Sequence, residues 1–137
     1  MSARFPDPHH VNGFYLGQFF GLLGWAASGG GADHPLSAFD PQRRSDVMYL
    51  AELLLPWQDT LSEAQDAALA RTWAYALSEF DDRDLGWFLL GHLPSLPEDP
   101  RAFLRQLAAL LYPQGLPDIS AQTRRLDQPN DFLFDLA

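Results

Sequence analysis

The sequence contains neither cysteine nor lysine, and these two absences exclude several kinds of chemistry. All nine of its cationic side chains are arginine. Without cysteine, the chain offers no thiol nucleophile, no disulfide and no cysteine-ligated zinc or iron–sulfur site. Without lysine, it lacks the residue that forms Schiff bases and the residue that binds phosphate in a P-loop. The absence of cysteine is typical of a reducing compartment, so we expect a cytoplasmic protein.

Positive charge is scarce compared with negative charge. Eighteen acidic residues against nine arginines give the 137-residue chain a formal net charge of −9. This charge repels the phosphates of nucleic acids and of anionic membranes, so we expect no direct nucleic-acid binding. A basic surface on another protein is a more favourable partner, and imitation of a nucleic acid by the acidic surface is a lesser alternative. The length suits a single domain with one core.

The sequence also lacks the motifs that usually mark a catalytic or metal site. No serine lies in a GxSxG turn, and the glycine runs do not match a phosphate-binding loop. The four histidines show neither the HxxxH nor the ExxH spacing that places metal ligands on one helix face. We therefore expect no bound metal and no cofactor.

An uncharged stretch of 22 residues, 11–32, is the most distinctive feature that is present. On a helix its regularly spaced glycines fall within an arc of roughly 80°, which predicts a helix over residues 11–28 with a bare stripe along one side. Another backbone or a flat ligand can approach such a stripe closely. If the stripe is buried, replacing Gly17 or Gly21 by leucine overpacks the contact and destabilises the fold. The stripe consists of Gly13, Gly17, Gly21 and Gly24, with Ser28 following.

A membrane span or a signal peptide is the alternative interpretation of the same stretch. Its length permits a span, and membrane helices use a GxxxG spacing for close packing. However, it contains Asn12, Gln18 and three consecutive glycines, and its flanks carry no clear positive-inside signal. A signal peptide usually begins with more positive charge. We therefore expect a buried helix of a soluble domain and no attachment to a membrane.

Downstream of this stretch, apolar residues recur with helical spacing between proline-rich links. Asp-Pro pairs, which combine an N-cap with a proline in the first turn, predict helix starts at Asp40 and Asp99. A capping box predicts another start within residues 60–63. The predicted helices cover residues 11–28, 40–56, 60–80, 82–93, 99–113 and, as a short sixth helix, 118–126.

These elements together predict an all-α protein. No strand pattern of useful length and no long repeat precedes the C-terminal tail. We expect a single compact bundle of five or six helices joined by short loops, with the apolar, glycine-striped first helix at its centre. The chain then divides into an N-terminal arm (residues 1–10), a helical domain (11–126) and an acidic, aromatic C-terminal tail (127–137).

Two features are candidates for binding a protein partner. Trp57 follows a proline in a predicted link, whereas the other tryptophans are expected in the core, so Trp57 is the best exposed anchor. The tail alternates acidic and aromatic residues, as short docking segments do. Its aromatic side chains either enter a partner's pocket or fold back into a groove of this chain, and both alternatives stay open. The tail residues concerned are Asp131, Phe132, Phe134 and Asp135.

A group of carboxylates lies where the third predicted helix ends and the fourth begins. It comprises Glu79, Asp81, Asp82 and Asp84, with Arg83 among them. Acidic residues in a first helical turn are favoured by the helix dipole and by capping, which accounts for most of the group. A functional carboxylate site is the lesser alternative.

The sequence favours a non-catalytic interaction protein, such as an accessory subunit, adaptor or inhibitor. It would bind another protein through its acidic surface, its glycine-striped helix or its C-terminal tail, and a homo-oligomer is also compatible with these features. The alternative is a small all-α enzyme or a ligand- or metal-binding domain that uses Glu79, Asp82 and His92 beside an aromatic pocket.

Overall fold

The computed structural model describes residues 8–25 and 33–136, and within these residues the chain is largely helical. The described chain forms five α-helices, one short parallel strand pair and one 3₁₀ helix. In order, these elements are β1 (His10–Val11), α1 (Phe14–Gly21), α2 (Arg44–Asp59), α3 (Glu63–Glu79), α4 (Asp82–Leu89), α5 (Pro100–Leu111), β2 (Arg124–Arg125) and the 3₁₀ helix (Leu133–Asp135).

The first helix is much shorter than predicted. Instead of residues 11–28, α1 covers only Phe14–Gly21. Gly24, which was predicted to continue the stripe, has a φ of +74° and lies in a turn after the helix. This left-handed conformation suits glycine and cannot continue an α-helix. The glycine stripe is therefore reduced to Gly13, Gly17 and Gly21, and the predicted position of Ser28 lies outside the described residues.

A short pair of strands is present in two segments for which the sequence predicts other structures. His10–Val11 and Arg124–Arg125 pair in parallel, where the sequence predicts an arm and a sixth helix. The backbone N–H of Arg124 donates to the carbonyl of His9 at 2.7 Å, and that of Leu126 donates to the carbonyl of Val11 at 2.9 Å. Strands of two residues are too short to show a period-2 pattern, so the sequence gives no signal for them.

The second helix begins and ends three to four residues later than predicted. Asp40 caps a turn instead of the helix, since its carboxylate accepts from the N–H of Gln42 at 2.9 Å. Pro56 lies inside α2 instead of ending it. A proline removes only one backbone hydrogen bond, and α2 continues for one further turn after Pro56. Trp57 is therefore a helical residue and does not lie in a link.

The starts of the next three helices follow from their capping residues. The capping box of α3 joins Ser62 and Gln65, two residues later than predicted. The side chain of Asp81 caps α4, and that of Asp99 caps α5 with Pro100 in the first turn. These caps satisfy backbone N–H groups that have no partner within a helix.

All five helices contribute to one hydrophobic core. α1 packs against α3, α4 and the 3₁₀ helix, whereas α2 packs mainly against α5. Within the described ranges, no helix has both the length and the apolar character needed to cross a membrane. The largest fully buried side chains belong to Trp73, Tyr15, Phe19, Phe20 and Phe80.

Candidate functional site

The glycines at the start of α1 allow α4 to approach closely. A Cβ atom on Gly13 would lie only 2.4 Å from the ring of Phe88, and one on Gly17 would lie 3.1 Å from the carbonyl oxygen of Phe88. α4 therefore fills the space at Gly13 and packs tightly at Gly17, so this part of the stripe is a packing surface within the chain. The approach brings Phe88 within ring contact of Phe14, with their centroids 5.1 Å apart.

The last glycine of the stripe leaves space instead. A Cβ on Gly21 would make only ordinary contact with the ring of His92, at 3.6 Å. A pocket of about 340 Å³ lies here between α1 and the end of α4, and we call it the α1–α4 pocket. Its walls are mainly aromatic and aliphatic. They include Phe14, Trp87, Phe88, Leu90 and Pro129.

Two polar side chains line this pocket, Gln18 and His92. The amide of Gln18 is engaged at both ends, because it donates to the carbonyl of Asp131 at 3.0 Å and accepts from the N–H of Leu133 at 2.7 Å. The ring of His92 has no hydrogen-bond partner among the residues that the structure describes. Burial lowers the pKa of His92 below its usual value. Its imidazole is therefore neutral at pH 7.

An exposed apolar surface lies beside the pocket. Trp87 is 61% exposed, Leu90 55% and Leu96 43%, and we call these three residues the α4 surface. Trp87 and Leu90 line the α1–α4 pocket on one side and a wider groove of about 860 Å³ on the other. The sequence analysis assigned Trp87 to the core, and this was wrong. The helical period contains the correct signal, because Trp87 lies opposite the buried face formed by Leu85 and Leu89.

The wider groove has an acidic rim, and we call it the acidic groove. Its lining includes the carboxylates Asp81, Asp82, Asp84 and Glu98, with one arginine, Arg83. Three of the four carboxylates also have structural partners. Asp81 accepts from the N–H of Asp84 at 2.8 Å, the Asp84 carboxylate lies 2.8 Å from the Arg125 guanidinium, and that of Asp82 lies 3.6 Å from the Arg101 guanidinium.

The residues proposed for an enzymatic or metal site do not share one cavity. Asp82 lines the acidic groove and His92 lines the α1–α4 pocket, whereas the lining of neither includes Glu79. The carboxylate of Glu79 instead accepts a hydrogen bond from the neighbouring Ser78 hydroxyl at 3.3 Å. Across residues 8–25 and 33–136, no three potential ligands are grouped to hold a metal ion. Neither of these two cavities therefore contains all three residues of the enzymatic alternative.

Arg125 holds the residues beneath the site together. Its guanidinium stacks on the Phe80 ring, 3.7 Å from the centroid, and bridges the carboxylates of Asp84 and Asp127. Burial alone would lower the pKa of Arg125, but the hydrogen bonds and charges of the two aspartates raise it overall. Asp127 also accepts from the N–H of Gly13 at 2.8 Å. Arg125 thereby connects α4 to the start of α1.

Asp131 was predicted to contact a partner, but the structure buries it inside the protein. Its carboxylate accepts from the hydroxyl of Tyr15 at 2.9 Å and from the amide of Asn12 at 3.4 Å. The Nε2 atom of His10 lies 3.9 Å away and hydrogen-bonds the carbonyl of Leu126. We call this group of side chains the Asp131 network. Because its carboxylate is enclosed, Asp131 cannot select a basic partner.

The rest of the tail folds back through residues other than those predicted. Leu133 and Leu136 enter the core, whereas Phe132, Phe134 and Asp135 lie at the surface. The side chain of Gln65 donates to the carbonyl groups of Phe134 and Leu136, which ties the tail to the start of α3. The two exposed phenylalanines remain available for contact, but on a segment that the protein itself holds.

Trp57 is exposed, but it belongs to a different surface. It is 45% exposed on the last turn of α2, and the same helix also exposes Met48, Tyr49 and Leu55. The α4 surface differs because its tryptophan separates two concave regions.

No known protein family, curated protein sequence or solved structure matches this chain. Function is therefore inferred from the geometry of the α4 surface and the two cavities beside it.

Proposed function

We propose that this protein is a non-catalytic interaction protein, such as an accessory subunit, adaptor or inhibitor, that binds another protein through the α4 surface. The supporting observation is the position of Trp87. Its side chain is 61% exposed and lies between two concave regions, next to the exposed Leu90. Large aromatic side chains in such positions commonly supply much of the binding energy at protein interfaces.

The rigidity around Trp87 also supports the proposal. α4 is fixed by the stacked Arg125 below it and by the close contact of Phe88 with Gly13 and Gly17. A preorganised surface loses little conformational entropy on binding. We also propose that the helices form a single bundle with α1 near its centre. Such a bundle would hold Trp87 in a fixed position.

The charge around the surface suggests the nature of the partner. The acidic groove beside Trp87 carries Asp81, Asp82, Asp84 and Glu98, and the whole chain has a formal net charge of −9. A partner with basic side chains around an apolar centre is complementary to this arrangement, and long-range attraction would speed its association. We further propose that the protein acts in the cytoplasm, which its lack of cysteine favours.

The test uses tagged protein purified from its native host in three forms: wild type, Trp87→Ala and Trp57→Ala. Trp57→Ala is the matched control, because it removes an exposed tryptophan from a different surface. We expect the wild type and Trp57→Ala to retain a partner protein. Trp87→Ala should lower the affinity for this partner about 30-fold, which corresponds to a loss of about 2 kcal/mol of binding free energy.

The binding constant is then measured with the purified partner by calorimetry. Equal affinity of the wild type and Trp87→Ala for this partner would contradict the proposal, as would an equal loss with Trp57→Ala. Thermal unfolding of each variant shows whether its fold is intact.

A further inference from the structure

The α1–α4 pocket has properties that the proposed protein interface does not explain. Its volume of about 340 Å³ lies within the usual range for small-molecule sites, about 300–1,000 Å³. Gly21 leaves room along one side, and the rings of Phe14, Trp87 and Phe88 form much of the remaining wall. A flat, apolar molecule fits such a lining better than a branched or charged one.

His92 supplies a polar group to this lining that has no hydrogen-bond partner among the described residues. Its ring lies against Gly17 and Gly21, and none of the described residues hydrogen-bonds it. The other polar side chain, Gln18, is already engaged through both ends of its amide. Polar groups in partly buried positions are usually satisfied by protein, water or ligand, so the imidazole is available to a bound molecule.

Charge narrows the class of molecule further. The side chains that line the pocket carry no formal charge at neutral pH, whereas the adjacent acidic groove is negative. An anion would be repelled by the acidic groove, and the lining offers no cationic side chain to compensate. A cation would lose its hydration on entering the pocket, and the lining offers no carboxylate to compensate. A neutral molecule avoids both costs.

We infer that the α1–α4 pocket binds a small, neutral aromatic molecule that donates one hydrogen bond, from a hydroxyl or N–H group, to the ring of His92. This site does not depend on the proposed protein interface, although the two share Trp87 and Leu90. A bound molecule would therefore alter the surface that a protein partner meets.

The first experiment compares two probes, 4-fluorophenol and fluorobenzene, by ¹⁹F NMR titration of the wild type and of His92→Phe. The probes differ by the hydroxyl group that would contact His92. We expect both probes to bind the wild type saturably, with an affinity about three- to tenfold higher for 4-fluorophenol than for fluorobenzene. His92→Phe should bind the two probes with equal affinity. An unchanged preference in His92→Phe would overturn the role of His92.

A second pair of variants tests the location of the site. Gly21→Leu places a side chain at the pocket, and its Cβ atom makes only ordinary contact with His92. Gly86→Leu is the matched control, since Gly86 lies in the acidic groove with open space around it. We expect Gly21→Leu to abolish binding of both probes and Gly86→Leu to retain it.

Two results would overturn the inference. One is the absence of saturable binding of either probe to folded wild-type protein. The pocket would then be interpreted as a site for a side chain of a protein partner. The other is equal binding to Gly21→Leu and the wild type. Near-ultraviolet circular dichroism of each variant confirms that its aromatic core is intact.

Discussion

The contact between α1 and α4 is closed at one end and open at the other, although glycines with the same four-residue spacing line both ends. At the closed end, Gly13 has no room for a Cβ atom because the Phe88 ring fills the space, and a Cβ on Gly17 would lie tightly against the Phe88 carbonyl oxygen. At the open end, Gly21 lies beside a cavity and is itself exposed. A repeated residue type in the sequence therefore serves two purposes, close packing and the formation of a pocket.

The two ends also differ in their polar contacts. Near the closed end, Asn12 and Tyr15 contact Asp131, and the N–H of Gly13 donates to Asp127. At the open end, the ring of His92 has no hydrogen-bond partner within the described part of the chain. Satisfied polar groups specify a single arrangement, whereas an unsatisfied one is available for binding. We expect stability to depend on the closed end and binding to depend on the open end.

The largest expected effect is the contrast between Gly13→Leu and Gly21→Leu. A side chain at Gly13 overlaps the buried Phe88 ring, so overpacking should lower the free energy of unfolding by about 3 kcal/mol. A side chain at Gly21 has space, so we expect a change of less than about 1 kcal/mol, although the sequence alone predicts a large cost there. Urea denaturation measures both values. Equal destabilisation by the two variants would show that the two ends do not differ.

A smaller effect is expected from Asp131→Ala, compared with Asp135→Ala as its control. Removing the Asp131 carboxylate leaves the buried hydroxyl of Tyr15 and one amide hydrogen of Asn12 without this acceptor, which should cost about 2 kcal/mol of stability. Asp135 is exposed, so its replacement should change stability by less than about 0.5 kcal/mol. Chemical denaturation of both variants tests this contrast. If Asp131→Ala were as stable as Asp135→Ala, the Asp131 network would not hold the tail.

The smallest expected effect concerns the open end and depends on pH. Burial lowers the pKa of His92, so the unfolded chain binds a proton more readily than the folded chain. The stability associated with neutral His92 is complete above the ordinary histidine pKa of about 6.5 and is lost as the pH falls through the lowered folded value. We therefore expect the wild type to lose stability relative to His92→Phe between pH 8 and pH 5.

Denaturation of both proteins across this pH range gives the difference in their unfolding free energies. A difference that is independent of pH, or that shifts in favour of the wild type at low pH, would contradict a buried, neutral His92.

Local signals in the sequence predicted where α4 and α5 begin, because an aspartate side chain caps each of these helices. Asp99 with Pro100 located the start of α5, and the aspartates before α4 located its start. These signals depend on neighbouring residues, so they can be read without a structure. The early end of α1 could not be read in this way, because the left-handed turn at Gly24 depends on a choice of backbone conformation that glycine leaves open.

The candidate site was harder to predict than the fold. Trp87 was assigned to the core on its residue type, although its position on α4 is opposite the buried face. The pocket depends on the turn after α4, which brings His92 against Gly17 and Gly21. Contacts between residues about 70 positions apart leave no local pattern. The burial of Asp131 likewise depends on Tyr15, which is 116 residues away in the sequence.

The pairing of β1 with β2 has a consequence for how this protein is made. During synthesis, residues 10–15 emerge before any of α2 to α5, whereas their partners in residues 124–131 emerge after all five helices. Until then, the buried polar groups of Asn12 and Tyr15 lack the acceptors that the finished fold provides. Contacts of such long sequence separation close late and slow the final folding step. The beginning of the described chain therefore reaches its native state only when the last segment arrives, and a nascent chain stalled before residue 124 would expose these groups to solvent or to chaperones.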